Sequence, residues 1–63
     1  MAWLAVDLDG KEYVYEYTPK RMINHWYVSY GECCHLPKGS IKKLIGRELT
    51  WEDDPVELKE GKS

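Results

Sequence analysis

The sequence predicts a small α+β domain, an antiparallel sheet of four to five strands, barrel-like or open, with one short helix packed on it. Three observations carry that expectation. At 63 residues the chain has room for one core, since a domain of this size buries only about 60% of the surface its unfolded state exposes. Its first half alternates aromatic and β-branched residues between turn-forming pairs, the pattern of half-buried strands. Its second half holds one segment, from Ser40 to Gly46, bracketed as a short helix would be. Residues 1–60 are expected to form a single compact domain and residues 61–63 to fray as a tail.

Residues 3–7 and 11–17 read as a β-hairpin around Asp9-Gly10. Its turn has two registers open to it. A two-residue Asp9-Gly10 turn sets Asp7 opposite Glu12, a like-charge pair, whereas a turn from Asp7 with Gly10 left-handed sets Asp7 opposite Lys11. The second is favoured. It pairs Leu4 with Val14 on one face, and Trp3 with Tyr15 and Ala5 with Tyr13 on the other, so both faces are apolar. Such a hairpin must be covered on both sides, or covered on one and adhesive on the other.

Thr18-Pro19-Lys20-Arg21 is expected to break the second strand, because proline cannot donate to a ladder. A third strand is expected over residues 25–30, with Trp26, Val28 and Tyr30 alternating against His25, Tyr27 and Ser29. Tyr30-Gly31-Glu32 then turns the chain into a fourth over residues 33–36. Ser40 suits a helix N-cap and Gly46 a C-terminal stop, and Ile41, Leu44 and Ile45 fall on one helix face, so this helix should lie as a lid on the sheet. Leu49 and Trp51 should return the chain to the core. Thr50-Trp51-Glu52-Asp53 resembles a capped turn, and residues 56–58 suit a last strand after Pro55.

Composition bounds the compartment and the class. No apolar stretch is long enough for a membrane helix, and residues 1–7 carry no basic leader, so a cytoplasmic protein is expected. Cys33 and Cys34 are adjacent, and their Cα separation of about 3.8 Å is too short for an unstrained disulfide, which suits a reducing compartment. Ligand clefts need about 300 Å³ or more, which a chain this short is expected to supply by sharing a cleft between subunits; a monomeric enzyme is the class least expected.

Charge is segregated. Residues 1–18 carry four acids against Lys11, residues 19–47 six bases against Glu32, and residues 48–60 six acids against Lys59. A basic middle between acidic ends is expected to pair across the fold, and the total of −2 argues against general nucleic-acid binding.

Four groups of residues are candidates for chemistry. Cys33 and His35 share a strand face, and His25 on a neighbouring strand would add a third soft ligand, but zinc sites favour a C-x-x-C spacing that is absent, so no metal and no cofactor is expected. Lys38, Gly39 and Ser40 at the helix start, with Lys42 and Lys43 in its first turn, would suit a phosphate or nucleotide; helix capping explains the same residues. Every aromatic is Trp or Tyr, rings with a polar end that suit interfaces. The tryptophans are assigned to the core, and Tyr13, Tyr15, Tyr17 and Tyr27 to a protein-binding surface. Glu48, Glu52, Asp53, Asp54 and Glu57 lack the oxygen-ligand spacing of a calcium loop and read as a solvated acidic face opposite Lys42, Lys43 and Arg47. No pair of carboxylates is placed for acid-base work, and no enzymatic activity is expected.

The start Trp3-Leu4-Ala5-Val6-Asp7, the segment Leu36-Pro37-Lys38-Gly39-Ser40-Ile41 through Leu44-Ile45-Gly46-Arg47, and the end Leu49-Thr50-Trp51-Glu52-Asp53 with Pro55-Val56-Glu57-Leu58 resemble short uncharacterised proteins of gut bacteria and their phages and prophages. The resemblance leaves residues 18–35 unmatched and carries no catalytic motif. What it implies is a phage-type product that binds and inhibits a host or defence protein. The function expected is therefore a small intracellular binding protein with a protein partner. The alternative is a homo-oligomer that captures a phosphate or nucleotide at Lys38-Gly39-Ser40.

Overall fold

The computed structural model describes residues 2–58. The expected tail at 61–63 lies outside the described residues. In chain order the elements are β1 (Ala2–Val6), β2 (Glu12–Tyr15), β3 (Lys20–Arg21), β4 (Trp26–Tyr27), β5 (Cys33–Leu36), α1 (Ser40–Ile45) and β6 (Val56–Leu58). Four strands form an open antiparallel sheet in the order β5-β2-β1-β6, and β3 pairs with β4 in a separate two-stranded sheet. The architecture is the small α+β fold that the residue pattern predicts.

The β1–β2 hairpin takes the favoured register. Trp3 faces Tyr15, Leu4 faces Val14 and Ala5 faces Tyr13. The Asp7 N–H donates to the Lys11 carbonyl at 2.9 Å, the Gly10 N–H donates back to the Asp7 carbonyl at 2.9 Å, and Gly10 sits at φ +92°. A side chain is rarely tolerated at that angle, so glycine is what lets the turn close in this register.

β1 is a central strand, and it is buried on both faces. Leu4 and Val6 point to one side and form a core with Ile41 and Leu49, joined by Val14, Leu36, Ile45, Val56 and Leu58. Ala5 points to the other side and forms a second core with Tyr15 and Trp26, joined by Trp3, Tyr13, Val28 and Trp51. The first core is closed because the chain crosses that face on its way from the β5 edge to the β6 edge, and α1 lies on that path.

Several local expectations are corrected. The third strand expected over residues 25–30 shrinks to Trp26–Tyr27 and does not join the main sheet. Its partner is Lys20–Arg21, within the segment expected to be a break: Pro19 is buried, and the ladder starts just after it, where no proline N–H is missed. β5 therefore lies against β2, with Glu12 facing Leu36 and Tyr15 facing Cys33. In α1, Leu44 is half exposed while Ile41 carries the packing. One and a half turns present too narrow a stripe to bury three apolar residues equally.

The helix start is also corrected. Gly39, not Ser40, is the N-cap, at φ +90°, and the Ser40 hydroxyl donates to the Pro37 carbonyl at 2.6 Å. The cap is supplied from the sheet. The Glu12 carboxylate accepts from the Gly39 N–H at 2.8 Å and from the Ile41 N–H at 2.9 Å, two of the backbone donors that a helix start leaves free.

The return segment behaves as expected. The Asp53 carboxylate accepts from the Thr50 N–H at 2.8 Å and from its hydroxyl at 3.3 Å, closing the 50–53 turn, and β6 completes the sheet against β1.

Candidate functional site

β2 alternates Tyr13, Tyr15 and, two residues past its end, Tyr17, yet their surroundings differ. Tyr15 is only 4% exposed and belongs to the core with Trp26. Burial pushes its hydroxyl well above the ordinary tyrosine range, with the charge of Asp7 and the neighbours Cys33 and Tyr13 adding in the same direction. Its assignment to a binding surface is thus corrected: the strand position directly under the indole is covered, and only the positions toward β5 and beyond the strand end stay open.

Tyr17 is 45% exposed and Tyr30, expected to lie within the longer strand over residues 25–30, is 66% exposed. Their rings meet with centroids 4.6 Å apart at 40°. The pair is held by the backbone around it. Glu16 and Glu32 bridge the two segments, the Glu16 N–H donating to the Glu32 carbonyl at 2.9 Å and the Glu32 N–H to the Glu16 carboxylate at 3.1 Å. Gly31 has φ +89°, and a Cβ there would lie 2.5 Å from the Tyr17 ring. Glycine is thus required twice at one position, for its backbone angle and for the ring that lies on it.

Tyr13 continues this surface toward the sheet edge. It lies 6.0 Å from the Tyr15 ring and 5.2 Å from the His35 imidazole, and His35 and Cys33 are both exposed. Tyr27 is also exposed, on β4. Beyond it, the β3–β4 turn presents Met22 and an almost fully exposed Ile23 to solvent.

The opposite end of the same face is closed by Trp26, Trp51 and Arg21. The Trp26 indole N–H donates to the Val6 carbonyl at 2.8 Å, and the two indoles meet edge to face at 5.6 Å. The Arg21 guanidinium lies 4.5 Å over Trp26 and 4.8 Å over Trp51, and donates to the Trp51 carbonyl at 2.6 Å and the Asp53 carbonyl at 3.2 Å. Each stacked contact of this kind contributes about 0.5–1 kcal/mol where water reaches it. Arg21 also lies 3.8 Å from Asp54, the ion pair formed among the described residues. The expected pairing of the acidic stretch with Lys42, Lys43 and Arg47 is therefore replaced: the cation that meets it comes from β3.

The other sequence candidates are dispersed or occupied. Glu12 takes the backbone donors at Gly39 and Ile41 that an anion would use, so a phosphate at Lys38, Gly39 and Ser40, flanked by Lys42 and Lys43, would have to displace a carboxylate of the protein itself. His25 sits in the β3–β4 turn with its imidazole Nδ1 2.9 Å from the Asn24 side-chain oxygen, and among the described residues no cluster of three metal-ligating side chains forms.

A cleft of about 610 Å³ opens between the β1–β2 turn, the helix start and residues 48–52. The expectation that such a volume needs a second subunit is corrected. Its apolar lining is Val6, Leu8, Ile41, Leu49 and Trp51, and its charges are Asp7, Glu12, Glu48 and Glu52 against Lys38 and Lys42.

The fold and this geometry define a small α+β domain with an open sheet, its aliphatic core buried under α1 and residues 48–52 with a cleft at its margin, its aromatic face part-open, and among the described residues no helix is long and apolar enough to cross a membrane. No family model, curated protein or solved structure matches the chain.

Proposed function

We propose that this chain is a protein-binding module whose contact surface is the open part of the aromatic face, centred on Tyr17 and Tyr30 and extending to Tyr13, Tyr27 and His35. The observation that carries the reading is the Tyr17–Tyr30 pair, whose rings meet tilted in solvent and are framed by Gly31 and the Glu16–Glu32 bridge. Rings ordered before binding lose little freedom when a partner covers them, and tyrosine is among the residues that dominate interface energies. Inhibition of a host or defence protein, which the resemblance of the two chain ends implies, is one form such binding takes.

The test is affinity capture from a bacterial lysate with the tagged chain and its Tyr17→Ser/Tyr30→Ser double variant at several salt concentrations. The expected result is a stoichiometric partner that persists as salt rises, because apolar ring contacts are not screened, and that the double variant fails to retain. Recovery of no partner at any salt, or equal capture by the double variant, overturns the reading.

The 610 Å³ cleft favours a second reading, capture of a small ligand. Four carboxylates against two lysines over an apolar lining suit a cationic or neutral amphiphile better than a phosphate. A thermal-shift series of apolar amines beside nucleotides separates the two classes, since a ligand bound by the folded state raises the melting temperature by mass action. A flat response to both removes the second reading.

A further inference from the structure

The two edges of the main sheet are finished differently. On β6 the outward-facing residue within the strand is Glu57, and the outward position before it is Pro55, which has no N–H. A charge and a proline are what keep an edge from pairing. On β5 the bond from the Glu16 N–H to the Glu32 carbonyl sets the alternation, so that Cys34 and Leu36 bond inward to β2 while Cys33 and His35 direct their N–H and C=O groups outward. Among the described residues nothing bonds to those four groups. Pro37 stands at the outward position just past β5, as Pro55 does just before β6, so the difference lies within the strands: the outward residues of β5, Cys33 and His35, carry no carboxylate or ammonium where β6 has Glu57, and Cys33, Cys34 and His35 are exposed.

We propose that β5 pairs antiparallel with β5 of a second copy of this chain, about a two-fold axis through Cys34. The occupant follows from register. Centred on Cys33, the pairing would need Gly31 as a strand residue, and Gly31 is left-handed at φ +89°. Centred on His35, it would set Cys33 against Pro37, which has no N–H to donate. Centred on Cys34, Cys33 of each copy faces His35 of the other, and all four outward groups are satisfied by four N–H to C=O bonds. The same register sets Glu32 opposite Leu36 of the second copy, with Lys38 of that copy in the turn two residues further along, an opposite charge near the carboxylate that the two-fold axis repeats. The product is an eight-stranded sheet, in which the open aromatic surfaces of both copies lie on one side. The proposal rests on the sheet edge and not on the partner-binding reading.

The geometry has a direct reporter. Cys34 would face its own counterpart in a pair whose Cα atoms are about 4.5 Å apart, within disulfide range, whereas Cys33 would lie diagonal to its counterpart at about 7–8 Å. The experiment is light scattering of the full chain over a wide concentration range, with diamide cross-linking of wild type, Cys33→Ser and Cys34→Ser; diamide takes up the two thiol hydrogens as the S–S bond forms. The expected result is a mass of twice the 7.4 kDa chain at high concentration, and a cross-linked dimer in Cys33→Ser that is lost in Cys34→Ser. His35→Pro should return the mass to monomer with its circular dichroism retained, because that N–H points away from β2. Cys33→Lys should do the same by placing like charges at the edge. A monomer mass throughout, a mass that grows without limit, or equal cross-linking in Cys34→Ser overturns the proposal. The Tyr17→Ser/Tyr30→Ser variant should still dimerise, which separates a failure here from a failure of the partner-binding reading.

Discussion

The two faces of the main sheet are built from different chemistry. The helix face is aliphatic, with Leu4, Val6, Ile41 and Leu49 buried together and no aromatic ring among them. The opposite face is aromatic, and only part of it is closed: Trp26, Trp51 and Arg21 seal it over Ala5 and Tyr15, while Tyr13, His35, Tyr17 and Tyr30 stay at or near solvent. Aliphatic side chains have no polar end, so a face made of them gains most from being covered. Rings with hydroxyl or N–H groups can be half covered, and one face can then both stabilise the domain and offer a surface. Stability should therefore depend on both faces, and binding on one end of one face.

The largest effect expected is from Trp26→Ala, which empties the closed half of the aromatic face and leaves the Val6 carbonyl without its indole donor. Such a truncation costs about 3–5 kcal/mol, comparable with the roughly 3–5 kcal/mol that a core of this size supplies, so circular dichroism should find the variant largely unfolded. Ile41→Ala on the helix face should cost about 2–5 kcal/mol in urea denaturation. If Ile41→Ala proved harmless while Trp26→Ala unfolded the chain, the two faces would not share the load as argued. Glu12→Ala should cost about 1–2 kcal/mol, because it frees the two backbone donors at the start of α1.

Tyr15 sharpens the comparison through pH. Its hydroxyl is held above its unfolded value, so the unfolded chain ionises first. The contribution of Tyr15 is fully present below about pH 10 and is lost as pH rises beyond it. Denaturation midpoints above that pH should fall less steeply in Tyr15→Phe than in wild type. The smallest change in stability belongs to Tyr17→Ser/Tyr30→Ser, where exposed positions predict a shift of about 0.5 kcal/mol or less per site, alongside loss of the captured partner.

Much of the sheet was legible from local chemistry. The hairpin register followed from one like-charge pair avoided and one glycine angle, and β5, β6 and α1 are bracketed by glycine and proline. What was not legible is non-local. The Glu12 cap joins residues 27 and 29 positions apart, and no window of the sequence displays it. The Arg21 clamp on Trp26 and Trp51 likewise spans the chain. Residues 18–32 were misread because alternation from Trp26 to Tyr30 looks like one long strand, whereas the backbone leaves strand geometry after Tyr27. That single difference took Tyr30 out of the strand and set it against Tyr17, and made it the missed member of the candidate site. Tyr15 and Tyr17 share an alternation phase, and only the position of Trp26 in space buries one and leaves the other.

The division of the aromatic face is tested most directly by tyrosine nitration mapped by mass spectrometry, on the free chain and on the chain with its captured partner. The account predicts that Tyr17, Tyr27 and Tyr30 react in the free chain while Tyr15 does not, and that Tyr17 and Tyr30 become protected in the complex. Reaction of Tyr15 in the folded chain, or equal reaction of Tyr17 and Tyr30 in the free and bound states, would contradict it.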